Sequence, residues 1–547
     1  MDDSTKSPAK QTLRPGRTLM CDDRGMLEKV VVGGPAACDW ATGYAVQSDA
    51  VVAGEDLIAF LRGATSPSAL SDVGGSFAAV LVLHDRLRII SDRVGSRPVF
   101  YARSESAWLA GPEFWTLAGR LGSSIPSAES AVQLLAFKFV LGAETISHQV
   151  FEVPPGTWLD LFDDGRTDQH RYWRYRPQPR ERSGRQLVAE LSDVIEGMAT
   201  RSIRAGKLQG LEHWGVNLTA GRDSRLLFGA LVRAGVPITA CSSDVGADAR
   251  VAAEVAAAVG VQHRTNTFWA DLGSPWIPEV ADPLVGTTMA AVAGHPISLS
   301  LDRPSECSGW VSGHLGDRFA GGQLPKSLMG RPQVDIGLLK ARLVEADRSL
   351  SDRELVKVLR PEWRALVRVP SERMREVVAE SDDGDLGALL QRVDLEQRQR
   401  RFILRDYMAI RTLGPTVLWL GDPAWSDFWA SVPYRWLVGT SLYSRVLKEK
   451  VFVGDLAPLA KIPANDRRLT TVRLPRLAVT GRELKRRAFK RLKRTVPAWQ
   501  PHRTGLTDRA LELASWLIEP DYFKTPRRRS DIESVRSIAR ATELLNG

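Results

Sequence analysis

The sequence predicts an α/β chain in two successive units, a strand-rich N-terminal one and then a parallel sheet threaded with helices. Three observations carry this. Residues 27–161 read as short apolar strands separated by turns. A polar, Pro/Arg-rich stretch, Tyr175–Arg185 (YRPQPRERSGR), reads as a linker. Beyond it the hydrophobic period changes, and short buried-type strands alternate with amphipathic helices, the signature of a parallel sheet with right-handed crossovers.

In order, Phe77–Leu83 and Leu87–Ile90 are strands around a turn at His84–Arg86, followed by strands at Val99–Tyr101 and Ala107–Ala110. Ala131–Leu141 reads as a helix, and Val153–Gly156 as a sharp turn into the strand Thr157–Leu161. After the linker come a helix at Gln186–Ala205, a strand at Trp214–Thr219, a tight turn at Ala220–Asp223 and a helix at Ser224–Ala234. Ile238–Ser243 (strand), Ala247–Val259 (helix), Arg264–Phe268 (strand) and Ser308–Ser312 (strand) extend the pattern. Val334–Thr412 reads as mostly charged amphipathic helix, and the Trp419–Trp436 region as aromatic-rich helices.

Composition bounds the function. The chain has 547 residues, 44% hydrophobic and 25% charged, which excludes a largely disordered chain and a small disulfide scaffold. Its formal charge of +10 is unevenly placed. From Lys461 onward there are 21 Lys/Arg and 9 Asp/Glu, so the preceding residues are close to neutral. A nucleic-acid hypothesis therefore applies only to the last stretch, and the body argues against it. Within that stretch Arg482–Arg494 (RELKRRAFKRLKR) reads as a basic amphipathic helix, either a solvated face or a surface for an anionic partner. The four cysteines form no CxxC pair, which suggests neither a zinc site nor a redox site. With no secretory segment and no apolar run long enough to span a bilayer, the expected location is cytoplasmic.

Chemistry concentrates in two segments. Leu218-Thr219-Ala220-Gly221-Arg222-Asp223-Ser224 lies where a parallel strand ends and a helix begins. Small residues there let backbone N–H groups approach an anion, and the helix N-terminus adds a favourable dipole. Thr219 and Ser224 offer hydroxyl groups, and Arg225 adds a cation. A carboxylate at Asp223 repels phosphate and so implies a bridging Mg²⁺. The second segment, Ser312-Gly313-His314-Leu315-Gly316-Asp317-Arg318-Phe319-Ala320-Gly321-Gly322, also follows a strand end, at the ligand-binding edge of an open α/β sheet, and Asp317 supplies a second carboxylate.

These two segments resemble the motifs of the asparagine synthetase family of ATP pyrophosphatases, which includes β-lactam synthetases and lasso-peptide cyclases. The pyrophosphate loop SGGxDS stands here as Thr219–Ser224, and SGxGxDExFGG as Ser312–Gly322. Gly75–Ala78, Asp92–Tyr101 and Pro154–Gly156 are similar to the family's glutaminase-type domain. The resemblance implies an Ntn-type αββα sandwich followed by a Rossmann-like PP-loop synthetase domain with a mostly helical C-terminal part. It divides the chain into a flexible tail (1–20), a glutaminase-like domain (21–180), a synthetase domain (186–460) and a basic helical extension (461–547).

The resemblance further implies an AMP-forming carbon–nitrogen ligase of specialised metabolism that uses ATP and Mg²⁺. A carboxylic-acid substrate is adenylated and then attacked by an amine donor. Asp223 and Asp317 would hold the metal. Leu218, Thr219, Ala220, Gly221, Asp223, Ser224, Ser312 and Gly313 would form the nucleotide site, and Lys461 and Arg225 would assist catalysis. Departures from the pattern matter. Residue 2 is Asp2 rather than the nucleophilic cysteine, Cys21 lies inside the chain, and no Asn-Gly-Glu stands near Gln47–Leu57, so the first domain reads as a scaffold without glutaminase activity. His314 and Arg318 replace acidic residues of the second motif. Alternatives are an intramolecular lasso-type or β-lactam-type cyclase, an ammonia-dependent asparagine synthetase, and a nucleotide-binding scaffold.

Overall fold

The computed structural model describes residues 31–32, 39–122, 126–243, 248–266, 286–288, 304–322, 324, 335–347, 350–380, 386–462, 512–519, 522 and 529–546. The readings of residues 1–20, Cys21 and Arg482–Arg494 lie outside them.

The N-terminal unit is a four-layered stack. Strands β1 (Val31–Val32), β2 (Trp40–Gln47) and β3 (Ala50–Ala53) lead to helix α1 (Glu55–Gly63). Then come β4 (Gly74–Val82), β5 (Arg86–Ser91), β6 (Phe100–Arg103) and β7 (Trp108–Gly111), followed by α2 (Phe114–Arg120) and α3 (Ala128–Phe137). Strands β8 (Val150–Glu152), β9 (Thr157–Phe162) and β10 (Thr167–Arg171) complete it. They form antiparallel sheets in the orders β10-β9-β5-β4-β2-β3 and β1-β7-β6-β8.

The period-two alternation of the strands builds the layers. Ala78, Val80, Leu87, Ile89, Leu159 and Leu161 face Trp108 and Ala110 of the other sheet. Their neighbours Phe77, Ala79, Leu81, Ile90 and Trp158 face Leu57 and Leu61 of α1. Phe100, Ala102 and Leu109 face away from the first sheet, onto α2 and α3. A helix, two sheets and a helix layer therefore stack in that order.

The second unit opens with the 25-residue helix α4 (Gly184–Leu208), whose Ser183 and Gln186 close a capping box. Strand β11 (Trp214–Asn217), helix α5 (Arg222–Arg233), β12 (Ile238–Ser243), α6 (Asp248–Ala257) and β13 (His263–Asn266) follow, and β14 (Gly309–Ser312) and β15 (Thr416–Leu418) complete a sheet. The sheet is parallel throughout, in the order β13-β12-β11-β14-β15. Strand order reverses between β11 and β14, the place where open parallel sheets carry their ligands. Among the described residues no helix is long and apolar enough to cross a membrane.

Two expectations are corrected here. The Tyr175–Arg185 stretch is more than a polar connector, because Tyr175 is buried and the Gln178 and Arg180 amides donate to the Ala430 and Ser431 carbonyls. Within Val334–Thr412, read as mostly charged amphipathic helix, one part does not present its charges to water. Helix Leu386–Val393 runs into a π-wound segment, Asp394–Ile403, and residues 386–401 are buried throughout. Their partners lie far away in sequence. Glu152 of β8 is fully buried and meets Arg400 at 2.7 Å, Arg405 at 2.6 Å and Arg401 at 3.4 Å. Burial pushes the Glu152 carboxyl up, but the three guanidinium groups outweigh it and hold the carboxyl at about 2. The C-terminal helix Arg529–Asn546 is also seated: Val535, Ile538 and Leu545 join the core over α3, and Ser534 donates to the Leu134 carbonyl.

Candidate functional site

Both predicted segments stand at the C-terminal edge of the parallel sheet, on the neighbouring strands β11 and β14. Thr219 and Ser224 close the first loop on itself. The Thr219 amide donates to Ser224 Oγ at 3.1 Å, the two hydroxyls lie 2.9 Å apart, and the Gly221 amide donates to Thr219 Oγ1 at 3.1 Å. Helix α5 begins at Arg222, two residues before the expected start, so Asp223 sits in its first turn.

The second loop crosses directly over Asp223. The Asp317 amide donates to Asp223 Oδ2 at 2.9 Å. A β-carbon on Gly316 would lie 2.3 Å from Asp223 Cγ, so only glycine allows this approach. Gly313 packs on the backbone of Asp223 and Ser224, with an added β-carbon 3.3–3.5 Å away. Burial, and then the neighbouring Asp317 charge, push the Asp223 carboxyl up to about 7. Its Oδ1 is buried without a hydrogen-bond partner. The Tyr443 hydroxyl faces this carboxylate, and burial pushes that phenol well up. Two carboxylates, one with a spare buried oxygen, suit a hard cation that also takes oxygens from a substrate. Among the described residues no cluster of three or more His, Cys, Asp or Glu forms a protein-only metal cage.

The other predicted residues are placed as follows. Leu218, just before the loop, and Ala220, within it, are buried. Ser312 ends β14, and its hydroxyl pairs with His314 Nδ1. Arg225 is buried and directs its guanidinium to main chain, with Nη1 donating to the Ile462 carbonyl at 2.7 Å and Nη2 to the Ala220 carbonyl at 3.2 Å. It is thereby placed as a tether between the loop and the chain after Lys461. Lys461 is exposed at the end of the short helix Ala457–Lys461. Arg318 Nε approaches Asp317 Oδ1 at 3.2 Å.

Sequence reasoning missed Tyr443 and Asp406, which lie on late helices and carry no motif. His314 Nε2 is 3.3 Å from Asp406 Oδ2. A cleft of about 290 Å³ opens between Trp173–Arg180 and Asp427–Ser431. Tyr175 in its wall packs on Phe319 at 5.2 Å, so the cleft backs onto the Asp317 loop.

In the N-terminal unit the three motif segments converge on Asp92. Its carboxylate accepts from the Phe77, Val94 and Ser96 amides and from Ser96 Oγ at 2.6 Å, and its carbonyl accepts from the Gly156 amide. Residues 45–173 match the family model of a glutamine amidotransferase domain. No curated protein matches the chain. The amidotransferase match runs from within β2 to just past β10 and ends before α4, so it leaves the Asp223–Asp317 site to be read from its own geometry.

Proposed function

We propose that the chain is an ATP-dependent, AMP-forming amide ligase whose chemistry occurs at the Asp223–Asp317 site. The observation that carries this reading is the crossing of the two loops, with the Asp317 amide on Asp223 Oδ2 at the edge of a parallel sheet. Asp223 and Asp317 would hold Mg²⁺, which when bound neutralises charge on the departing pyrophosphate. The small, hydroxyl-bearing Thr219–Ser224 loop and the N-terminus of α5 would receive the phosphates, and Leu218, Ser312 and Gly313 would flank the adenosine. The substrate carboxylate attacks the α-phosphorus, pyrophosphate leaves, and an amine then displaces AMP from the acyl-adenylate. Lys461 would bring its ammonium group to the pyrophosphate side, held there through the Arg225–Ile462 tether.

The amidotransferase-type unit acts in this reading as a scaffold fused to the ligase. Its Glu152 meets Arg400 and Arg401 of the π-wound segment and Arg405 of the helix after it, across the seam between the two units. The amine is then free ammonia, a second substrate or a group on the acyl substrate itself. One observation favours a second reading, a nucleotide-binding scaffold: Arg318 already lies against Asp317 and competes with a cation there.

ATP–pyrophosphate exchange with ATP, Mg²⁺ and a panel of carboxylic acids separates the two. Exchange that depends on one acid and is lost in Asp223→Ala and Asp317→Ala supports the ligase. Binding of ATP without exchange for any acid supports the scaffold. Exchange that survives both substitutions refutes the site.

A further inference from the structure

We propose that the cleft between Trp173–Arg180 and Asp427–Ser431 binds a small dianion, a carbon chain or ring with a carboxylate or phosphate group at each end, at a site separate from the Asp223–Asp317 centre. One wall is the ribbon Arg176-Pro177-Gln178-Pro179-Arg180. Each proline fixes its own φ and holds the residue before it extended. Extended backbone sends alternate side chains to the same side. Arg176, Gln178 and Arg180 accordingly line the cleft and the two prolines do not. The ribbon is pinned as well, because the Gln178 amide donates to the Ala430 carbonyl at 2.7 Å and the Arg180 amide to the Ser431 carbonyl at 2.9 Å. Two guanidinium groups are thus carried on a fixed backbone, with their α-carbons about 13 Å apart.

The charge balance of the cleft selects an anion. Arg174 in its wall is matched by Glu396 and by Glu380, each at 3.3 Å. Asp427 on the opposite side is met by Arg93 at 2.8 Å. Arg176 and Arg180 are exposed, and neither guanidinium has an ion-pair or hydrogen-bond partner among the described residues. The cleft therefore keeps two uncompensated positive charges, both on the same face of one ribbon.

The remaining walls set the ligand's shape. A guanidinium fork pairs with a carboxylate or a phosphate through two parallel N–H donors, so the two arginines take the two ends. Gln178 between them offers both a donor and an acceptor to the middle of the ligand. Trp173 and Tyr175 give the carbon skeleton an apolar wall. Arg93 stands over the Trp173 ring at 5.1 Å from its centroid and Tyr175 packs on Phe319, which holds both rings in place. A volume of about 290 Å³ lies at the small end for ligand pockets and suits a metabolite-sized molecule rather than a folded partner. Because the backbone and the rings are already held, binding orders little more than the two arginine side chains.

Calorimetric titration of the full chain at low salt with acetate, succinate, suberate and a hexose bisphosphate tests this. At least one dianion should bind about tenfold or more tightly than acetate, because it engages a second charge-assisted contact, and its affinity should fall as salt is added. The dicarboxylate and bisphosphate arms decide which anionic group the forks prefer. Arg176→Gln and Arg180→Gln should each remove the advantage over acetate, and the double variant should lose binding. Both side chains are exposed, so thermal unfolding of the unliganded variants should match that of the parent. Arg185→Gln removes the same charge from an exposed position outside the cleft and should leave binding unchanged. No saturable binding of any dianion, equal affinity for acetate, an equal loss in Arg185→Gln, or binding retained in the double variant overturns the proposal. Loss of dianion binding in Asp223→Asn/Asp317→Asn would place the ligand at the other site and overturns it too.

Discussion

Glu152→Gln removes one charge from the seam between the two units while keeping the side chain's size. Three buried guanidinium groups then face a neutral amide. Holding this carboxyl at about 2 rather than its ordinary 4.5 is worth about 3 kcal/mol at neutral pH. That agrees with the cost of about 3–5 kcal/mol for breaking a buried ion pair from one side. The sign follows from linkage. A depressed carboxyl stabilises the fold above its unfolded value of 4.5, and the stabilisation fades as pH falls toward 2. Urea denaturation followed by tryptophan fluorescence should therefore show a lower midpoint for the variant at pH 7. The gap between parent and variant should close between pH 4.5 and 2. A midpoint at pH 7 equal to that of the parent, or a gap independent of pH, would refute the argument.

Other consequences are open to direct measurement. Gly316→Ala places a methyl group 2.3 Å from Asp223 Cγ; calorimetry should find Mg·ATP binding weakened about tenfold or more, whereas Gly119→Ala, with nothing within 4 Å, should leave it intact. Arg225→Met removes the donor that binds the Ile462 carbonyl at 2.7 Å, at about 1–3 kcal/mol for a buried hydrogen bond left unmade. Faster limited proteolysis next to Lys461 should follow, and an unchanged cleavage rate would contradict the tether. Removal of residues 529–547 uncovers the face of α3 that receives Val535, Ile538 and Leu545, and at about 1.5–3 kcal/mol for each buried apolar side chain thermal unfolding should occur several degrees lower. An unchanged transition would show that the helix contributes little.

Local signals in the sequence located most elements. The strand at Ile238–Ser243 is found as expected, and Trp214 opens β11. Helix α3 differs at both ends: Ser127 caps it from the front by accepting from the Ser130 amide, and Lys138 stops it in a left-handed conformation at φ 75°. Neither effect is visible in hydrophobic period. The two Asp-bearing loops were legible because their small residues, hydroxyls and carboxylates fall at strand ends, and the crossing over Asp223 explains why residue 316 is glycine.

What stayed illegible depends on long-range partners. The run Asp394–Arg405 reads as charged amphipathic helix, with nothing to show that its charges are buried, until Glu152, 248 residues before Arg400, is placed against it. Asp406 and Tyr443 look like ordinary helix residues until the sheet brings His314 and Asp223 to them. The charge that sets the last part of the chain apart is likewise a poor guide to exposure, because the described helix Arg529–Asn546 is anchored on α3.

The central claim is that Asp223 and Asp317 together bind the metal of a bound ATP. Calorimetric titration of ATP, with and without Mg²⁺, into the parent chain and the Asp223→Asn/Asp317→Asn variant tests it most directly. The account predicts binding to the parent that strengthens with Mg²⁺, and a variant that has lost this metal dependence. Metal-dependent ATP binding of equal strength in the variant would contradict it.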